Sequence, residues 1–374
     1  MIPGSVSRQL KKRLPGQAVS NASAAYERLS PRRLVFLLPG KFLQRFQYPS
    51  LLTIALTNRC NLNCFICNRE NIPPGELCFD NLAKLNDAIR YARAVNLTGL
   101  GESLIYPKFG EVVERVLSLG RKGRILRIIT NGTRLSEDTG HLVKGRLQRL
   151  TISLNAASAG IYNRDMVPGD FDTTLASIRS CMGAIGDKDR RAVRLHFVAH
   201  TRNYEEIPEF VRLASNLKVG SVSIGHFMAS SGEGAAYVLL HVKEAYNRLL
   251  LEAEALAKDL DIVFEARRFR SETPRSSQGC LSPFHECYVD VDGNVTPCCF
   301  AGGHIMGNVY ESSFENVWFG ESYKRLRKHL NLPSCSDCAR LIPLDRFSAH
   351  FTASYKRTAS YQEEARRHLA NASD

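Results

Sequence analysis

The segment Leu51-Leu-Thr-Ile-Ala-Leu-Thr57-Asn-Arg-Cys60-Asn-Leu-Asn-Cys64-Phe-Ile-Cys67 runs from a short aliphatic stretch straight into three closely spaced cysteines. Leu51 to Leu56 reads as a strand, which places the three thiols on the loop at its C-terminal end. Outward from this strand the same texture recurs. Aliphatic runs at Ala94 to Leu100, Ile125 to Ile129, Leu150 to Leu154, Val193 to Val198 and Val222 to Ile224 alternate with helix-period stretches near 80–93, 108–120, 136–147, 172–185 and 204–216. A longer helix over 236–259 follows. Strands alternating with helices specify βα units around a parallel sheet, an α/β fold in which chemistry sits on the loops at the strand C-termini.

Beyond about residue 266 the pattern changes to short alternating pieces. Asp292-Gly293-Asn294 separates two such runs and predicts a β-hairpin, followed by a helix over 314–329 and a polar helix over 355–369. Residues 1–50 are broken by Pro3, Pro15, Pro31 and Pro39 and read as an irregular basic arm. The expected domains are therefore the arm (1–50), a βα barrel (51–265), a small cysteine-bearing α+β extension (266–345) and a tail (346–374).

The chain has 374 residues, 44% hydrophobic and 23% charged, enough for a large buried core and inconsistent with a stapled mini-domain or wholesale disorder. No apolar run is long enough to span a bilayer, and no secretory signal pattern is present, so an intracellular, cytoplasmic protein is expected. The net charge of +13 is uneven: residues 1–50 hold nine Lys/Arg against one acid, Glu27. Within residues 30–46 the basic side chains mix with bulky apolar ones, a composition suited to peripheral contact with an anionic membrane or to an RNA backbone. Packing of the apolar residues on the barrel, with solvated Lys/Arg, is the expectation. No sequence feature gives firm support to nucleic-acid binding.

Eleven cysteines are many for a reducing compartment, and eight fall in three tight groups: Cys60, Cys64, Cys67; Cys280, Cys298, Cys299; and Cys335, Cys338. Cys78, Cys181 and Cys287 stand apart and are expected to be small buried apolar residues. The first group leaves a tetrahedral zinc one ligand short, whereas a 4Fe-4S cluster held by three cysteines keeps one iron open.

C-x3-C-x2-C directly after the first strand of six βα units resembles the radical S-adenosylmethionine (SAM) superfamily. The resemblance implies a partial (β/α)6 TIM-like barrel in which Cys60, Cys64 and Cys67 hold a 4Fe-4S cluster whose free iron chelates SAM. It also implies SAM-contacting roles along the strand ends. Gly101 and Glu102 stand where the family has Gly-Gly-Glu, with Leu100 replacing the first glycine; Glu102 would take the SAM ammonium. Asn131 lies in an Asn-Gly turn, and Ser153 and Asn155 resemble the polar pair at the ribose and carboxylate. His226 and Ile66 fall where adenine packs, Ile66 replacing the usual aromatic. From Cys280 the pattern C-x12-G-x4-C, then Cys335-x2-Cys338, is similar to the SPASM and twitch extensions, which implies a second 4Fe-4S cluster on Cys280, Cys298, Cys335 and Cys338. Cys299 competes with Cys298, and a zinc ribbon from the same thiols is the alternative.

The chemistry so implied is reductive cleavage of SAM and abstraction of a substrate hydrogen atom, with a flavodoxin- or ferredoxin-type donor or a reductase supplying the electron. The leading expectation is oxidation or epimerisation of a small-molecule substrate, namely a sugar, cyclitol or similar polyol. A peptide-modifying enzyme is the alternative, although no winged-helix-like domain is visible before Leu51. A non-catalytic metal scaffold using its basic arm is the third reading.

Overall fold

The computed structural model describes residues 48–67, 69, 72–119, 125–228, 233–269, 282–299 and 304–329. The basic arm, Cys280, Cys335, Cys338 and the C-terminal tail lie outside the described residues.

In chain order the elements are β1 (Leu51–Ile54), α1 (Asn86–Tyr91), β2 (Ala94–Leu97), α2 (Phe109–Ser118), β3 (Ile125–Thr130), α3 (Glu137–Val143), β4 (Leu147–Ser153), α4 (Ala159–Asp165), α5 (Phe171–Ile185), β5 (Val193–Ala199), α6 (Ile207–Asn216), β6 (Ser221–His226), α7 (Lys243–Asp259) and β7 (Val263–Ala266). Then follow α8 (Ser282–His285), β8 (Glu286–Val289), β9 (Asn294–Thr296), β10 (Gly307–Asn308), α9 (Phe314–Trp318) and α10 (Glu321–His329). The six expected strands form, and β1 to β7 run parallel, each beside the next. The result is the mixed α/β architecture expected of a partial TIM-like barrel with a C-terminal extension.

Strand parity divides the sheet sharply. Leu52, Ile54, Val95, Leu97, Leu126, Ile128, Leu150, Ile152, Leu195, Phe197, Val222 and Ile224 are buried in the core, where Phe197 meets Phe210 of α6 edge-on. Removing one such aliphatic side chain costs about 2–5 kcal/mol. Most alternate positions are polar (Thr53, Asn96, Arg127, Arg149, Thr151, Ser153, Arg194, His196, Ser221, Ser223 and Glu265), with Leu51, Ala94, Ile129, Val198 and Val263 sharing their parity. Parallel sheets are normally apolar on both faces, so a polar face marks a surface kept for something other than core.

Three local features depart from expectation. β7 is an added parallel edge strand, short and mostly exposed, so it lacks the apolar run that reveals inner strands. The connection after β4 holds an additional helix, α4, capped by the Ser158 hydroxyl accepting from Ile161 N–H. The expected 314–329 helix divides at Gly320, where a Cβ would lie 2.2 Å from the Asn316 carbonyl oxygen. The hairpin, in turn, is no separate sheet. β8 pairs in parallel with β1, Leu51 opposite Glu286 and Thr53 opposite Tyr288, which makes one ten-stranded sheet.

Candidate active site and cysteine loops

The loop after β1 is tied on every side by main-chain bonds. Gly101 N–H donates to Thr57 O at 3.2 Å, Glu102 N–H to Arg59 O at 2.8 Å, Asn63 N–H to Val167 O at 2.6 Å and Phe65 N–H to Asp165 O at 2.8 Å. A Cβ at Gly101 would sit 2.1 Å from Arg59 O, so only glycine lets the loop after β2 approach this closely. Arg69, which sequence reasoning passed over, donates to Asn58 O (3.0 Å) and Leu62 O (3.1 Å) and braces the loop from within.

Cys60, Cys64 and Cys67 share this loop. Burial raises the Cys60 thiol, and burial together with the neighbouring Cys60 and Cys67 pushes Cys64 up to about 12; Arg69 opposes both shifts. Three crowded thiols of this kind become thiolates readily only against a compensating cation. Among the described residues no three His, Cys, Asp or Glu converge as ligands of a single metal ion. A 4Fe-4S cluster would receive each thiolate at a separate iron, so its three ligands need not converge on one point.

Glu102 is 2% exposed, and burial is the main cause raising its carboxyl above the usual range. Its Oε2 accepts from Asn131 N–H at 2.6 Å and its Oε1 from Leu104 N–H at 3.0 Å. The carboxylate thus pins the loop after β3 against the loop after β2. Asn131 extends the chain of contacts, donating to Asn61 Oδ1 (3.0 Å) and approaching Cys60 Sγ (3.7 Å). The Thr133 hydroxyl and N–H both donate to Asn131 Oδ1. Gly101, Glu102 and Asn131 are therefore gathered around the cysteine loop.

Asn155 holds a left-handed backbone (φ 60°), and its Oδ1 accepts from Val198 N–H at 2.9 Å, stitching β4 to β5. Ser153 lies two residues below it, opposite His196. Ile66, Val198 and Tyr237 pack against buried Phe227 and Val238, forming an apolar cluster. Next to that cluster Arg202 stacks on Phe65, 4.5 Å from the ring centroid, and pairs with buried Asp165 at 2.8 Å, an assembly without a sequence signature. His226 is not brought to this group. It shares the helix-side parity of Ile224, lies against Tyr246 and Phe269, and bonds Arg267 O at 3.0 Å.

In the extension, Cys298 is half-buried and Cys299 exposed. Cys298 adds to the upward push on buried Tyr323, and Cys299 to that on Tyr288, whose parity is that of the polar face. Cys181 and Cys287 are buried as expected, at 1% exposure each, and Cys287 follows Leu52 into the apolar layer. Cys78 is a correction. It is exposed, because it precedes the 3-10 helix Phe79–Leu85 at the sheet's rim and not inside a strand.

Residues 54–214 match the family model of the radical SAM superfamily, and residues 280–339 match that of SPASM, an iron-sulfur cluster-binding domain. The chain is a radical SAM enzyme with a SPASM domain. Its relatives include an AdoMet-dependent heme synthase of Methanosarcina barkeri, 26% identical over 75% of this chain and 85% of the relative. Another is the tungsten-containing aldehyde ferredoxin oxidoreductase cofactor-modifying protein of Pyrococcus furiosus, 24% identical over 77% and 86%. The fold is shared with Streptococcus suis SuiB bound to S-adenosylmethionine, at TM-score 0.59 and 17% identity over 75% of this chain and 68% of that one. This radical SAM enzyme thus carries a SAM-binding cluster site and an auxiliary iron-sulfur domain. Among the described residues no helix is long and apolar enough to cross a membrane.

Proposed function

We propose that this enzyme oxidises a small, polar, hydroxyl-bearing molecule such as a sugar, cyclitol or related polyol. The observation that carries the reading is the polar face of the sheet. Asn96, Thr151, Ser153 and His196 carry amide, hydroxyl and imidazole groups on the side opposite the helices, with the buried hydroxyls of Thr53, Ser221 and Ser223 sharing their parity. Such groups orient a substrate through several directional hydrogen bonds and leave a large apolar side chain with little to bury against.

When bound, the SAM-ligated cluster supplies a 5'-deoxyadenosyl radical that removes a substrate hydrogen atom. This chain's residues supply the setting. Cys60, Cys64 and Cys67 hold the cluster, Gly101, Glu102 and Asn131 shape the space beside it, and Ser153 and Asn155 offer polar contacts at the ends of β4. Cys280, Cys298, Cys335 and Cys338 are the proposed auxiliary ligands, and an external flavodoxin- or ferredoxin-type donor is the proposed electron source. Epimerisation would need a thiol outside both ligand sets to return a hydrogen atom; Cys181 and Cys287 are buried in the apolar layer, which leaves exposed Cys78 and Cys299 for that task, and oxidation needs none. Oxidation balances as loss of one hydrogen atom to the deoxyadenosyl group, one proton to solvent and one electron to the auxiliary cluster.

The test is turnover of candidate polyols by anaerobically reconstituted enzyme in deuterated water, with 5'-deoxyadenosine and product masses measured. Product two hydrogens lighter, formed one for one with 5'-deoxyadenosine, is expected. Product of unchanged formula carrying one solvent deuterium would make the enzyme an epimerase. Coupled turnover with peptides alone would replace the small-molecule reading.

A further inference from the structure

Three arginines stand on the polar face, one each on β3, β4 and β5. Arg127 lies directly opposite Arg149, and Arg194 lies opposite Thr151, two residues further along β4. The Arg149 and Arg194 guanidiniums converge on one hydroxyl: Arg194 Nε donates to Ser221 Oγ at 3.3 Å and Arg149 Nη1 reaches the same oxygen at 3.5 Å. Among the described residues one carboxylate joins the group: Glu265, which pairs with Arg194. Neither Arg127 nor Arg149 lies within ion-pair distance of a carboxylate among the described residues. His196 adds no charge, since burial holds it down to about 4 and its Nδ1 bonds Ser223 Oγ at 2.8 Å.

Three guanidiniums against one carboxylate leave about two positive charges on a partly enclosed surface. Burial, followed by the charges of Arg194 and Arg127, lowers the proton affinity of Arg149, so the three cations sense one another. Such a cluster is unfavourable by itself and becomes favourable with an oxyanion, which the planar guanidinium fork binds through paired hydrogen bonds. Next in the same row, opposite Arg127, Asn96 Oδ1 is buried without a hydrogen-bond partner and supplies an acceptor for a neighbouring hydroxyl.

We propose that Arg127, Arg149 and Arg194 form an oxyanion site, so that the substrate is a small molecule bearing a phosphate or carboxylate group, with Asn96 receiving one of its hydroxyls. This rests on the small-molecule reading and narrows it from neutral polyols to anionic ones.

The experiment uses reconstituted full-length enzyme and two probes, pyrophosphate and citrate, with affinities measured by calorimetry at low salt. Wild type should bind at least one of them. Arg127→Gln/Arg149→Gln should weaken that binding by at least about tenfold, the scale of one lost charge-assisted hydrogen bond. Arg149→Lys, which keeps the charge and loses the fork, should fall in between. Arg212→Gln, an exposed side chain on the outer face of α6, is the control for charge alone and should bind as wild type does. In the unmutated protein, pyrophosphate should shield Arg127 from phenylglyoxal, read by peptide mass spectrometry. Stronger binding of pyrophosphate would assign a phosphate substrate, and stronger binding of citrate a carboxylate. Absence of binding, equal affinity in wild type and double variant, or no protection of Arg127 would overturn the proposal. These readouts need no turnover: wild type that binds pyrophosphate yet turns over only peptides would remove the small-molecule reading and leave the anion site standing.

Discussion

The loop after β1 and the hairpin of β8 and β9 both carry cysteines and both adjoin β1, yet they are held in different ways. The first is fastened by main-chain bonds to three other segments, and the buried Glu102 carboxylate locks together the loops after β2 and β3 beside it. The second is paired to β1 through β8 and adds a dense set of side-chain bonds at its turn. Asp290 accepts from the N–H groups of Asp292 and Asn294 and from the Asn294 amide, and Asn308 bridges Asp292 O and Asn294 Oδ1. Beneath it, Trp318, Tyr323 and Arg327 stack, with the guanidinium 4.2 Å from the Trp318 ring centroid. Both take order from β1, but the hairpin turn carries an accepting carboxylate within itself, at Asp290, whereas the cysteine loop is tied to segments distant in the chain.

The largest effect separates the two regions chemically. Replacing Cys60, Cys64 and Cys67 by Ala together should abolish 5'-deoxyadenosine formation and lower iron from about eight to about four per chain after reconstitution. Iron unchanged in that variant would mean that the β1 loop binds none.

Next comes Gly101→Ala, which forces a methyl group to 2.1 Å from Arg59 O and should destabilise the fold by about 3 kcal/mol in urea titrations. Gly110→Ala on α2, where a Cβ meets nothing within 4 Å, should instead stabilise by about 0.5–1 kcal/mol. Equal effects at both glycines would refute the close-approach argument.

The carboxylates offer a matched pair. Glu102→Ala leaves the N–H groups of Asn131 and Leu104 short of an acceptor and should weaken SAM binding by about 1–3 kcal/mol. Asp290→Ala should loosen the hairpin by a similar about 1–3 kcal/mol, visible as faster amide exchange at Asp292 and Asn294, with SAM affinity kept. If Asp290→Ala weakens SAM binding as much as Glu102→Ala does, the two regions are one energetic unit.

The smallest effect is a pH dependence confined to the barrel. His200 is 1% exposed, and burial, with Arg202 and Arg164 nearby, holds it down to about 4 against the pull of Asp165. A folded value below the unfolded one means that unfolding takes up a proton. The contribution is therefore complete above about pH 6.5 and declines by up to about 1.4 kcal/mol per pH unit as pH falls toward 4. Urea midpoints of wild type should fall between pH 7 and 5, and those of His200→Asn, whose amide oxygen can accept from Arg202 N–H, should fall less.

Much of this was legible in the linear chain because βα units have a short period and cysteine ligands have short spacings. Six strands, the cysteine loop, the Gly101-Glu102 corner and the Asp292-Gly293-Asn294 turn all announce themselves within a dozen residues. Strand β7, helix α4 and the break at Gly320 did not, since an exposed edge, a capped seven-residue helix and a single glycine leave little periodic trace. Cys78 illustrates the same limit: residue type argued for burial, and its position at the rim decided otherwise.

Local sequence by itself determined the order of strands and helices, the grouping of Cys60, Cys64 and Cys67, and the Gly101-Glu102 motif after β2, because each depends on residues near one another in the chain. Tertiary structure alone decided which thiols lie in the apolar layer, that β8 joins β1, that His226 turns to the helices, and that Arg127, Arg149 and Arg194 share one face. Those facts are set by strand parity and register, and moving a strand by one residue would send every one of its side chains to the opposite side of the sheet.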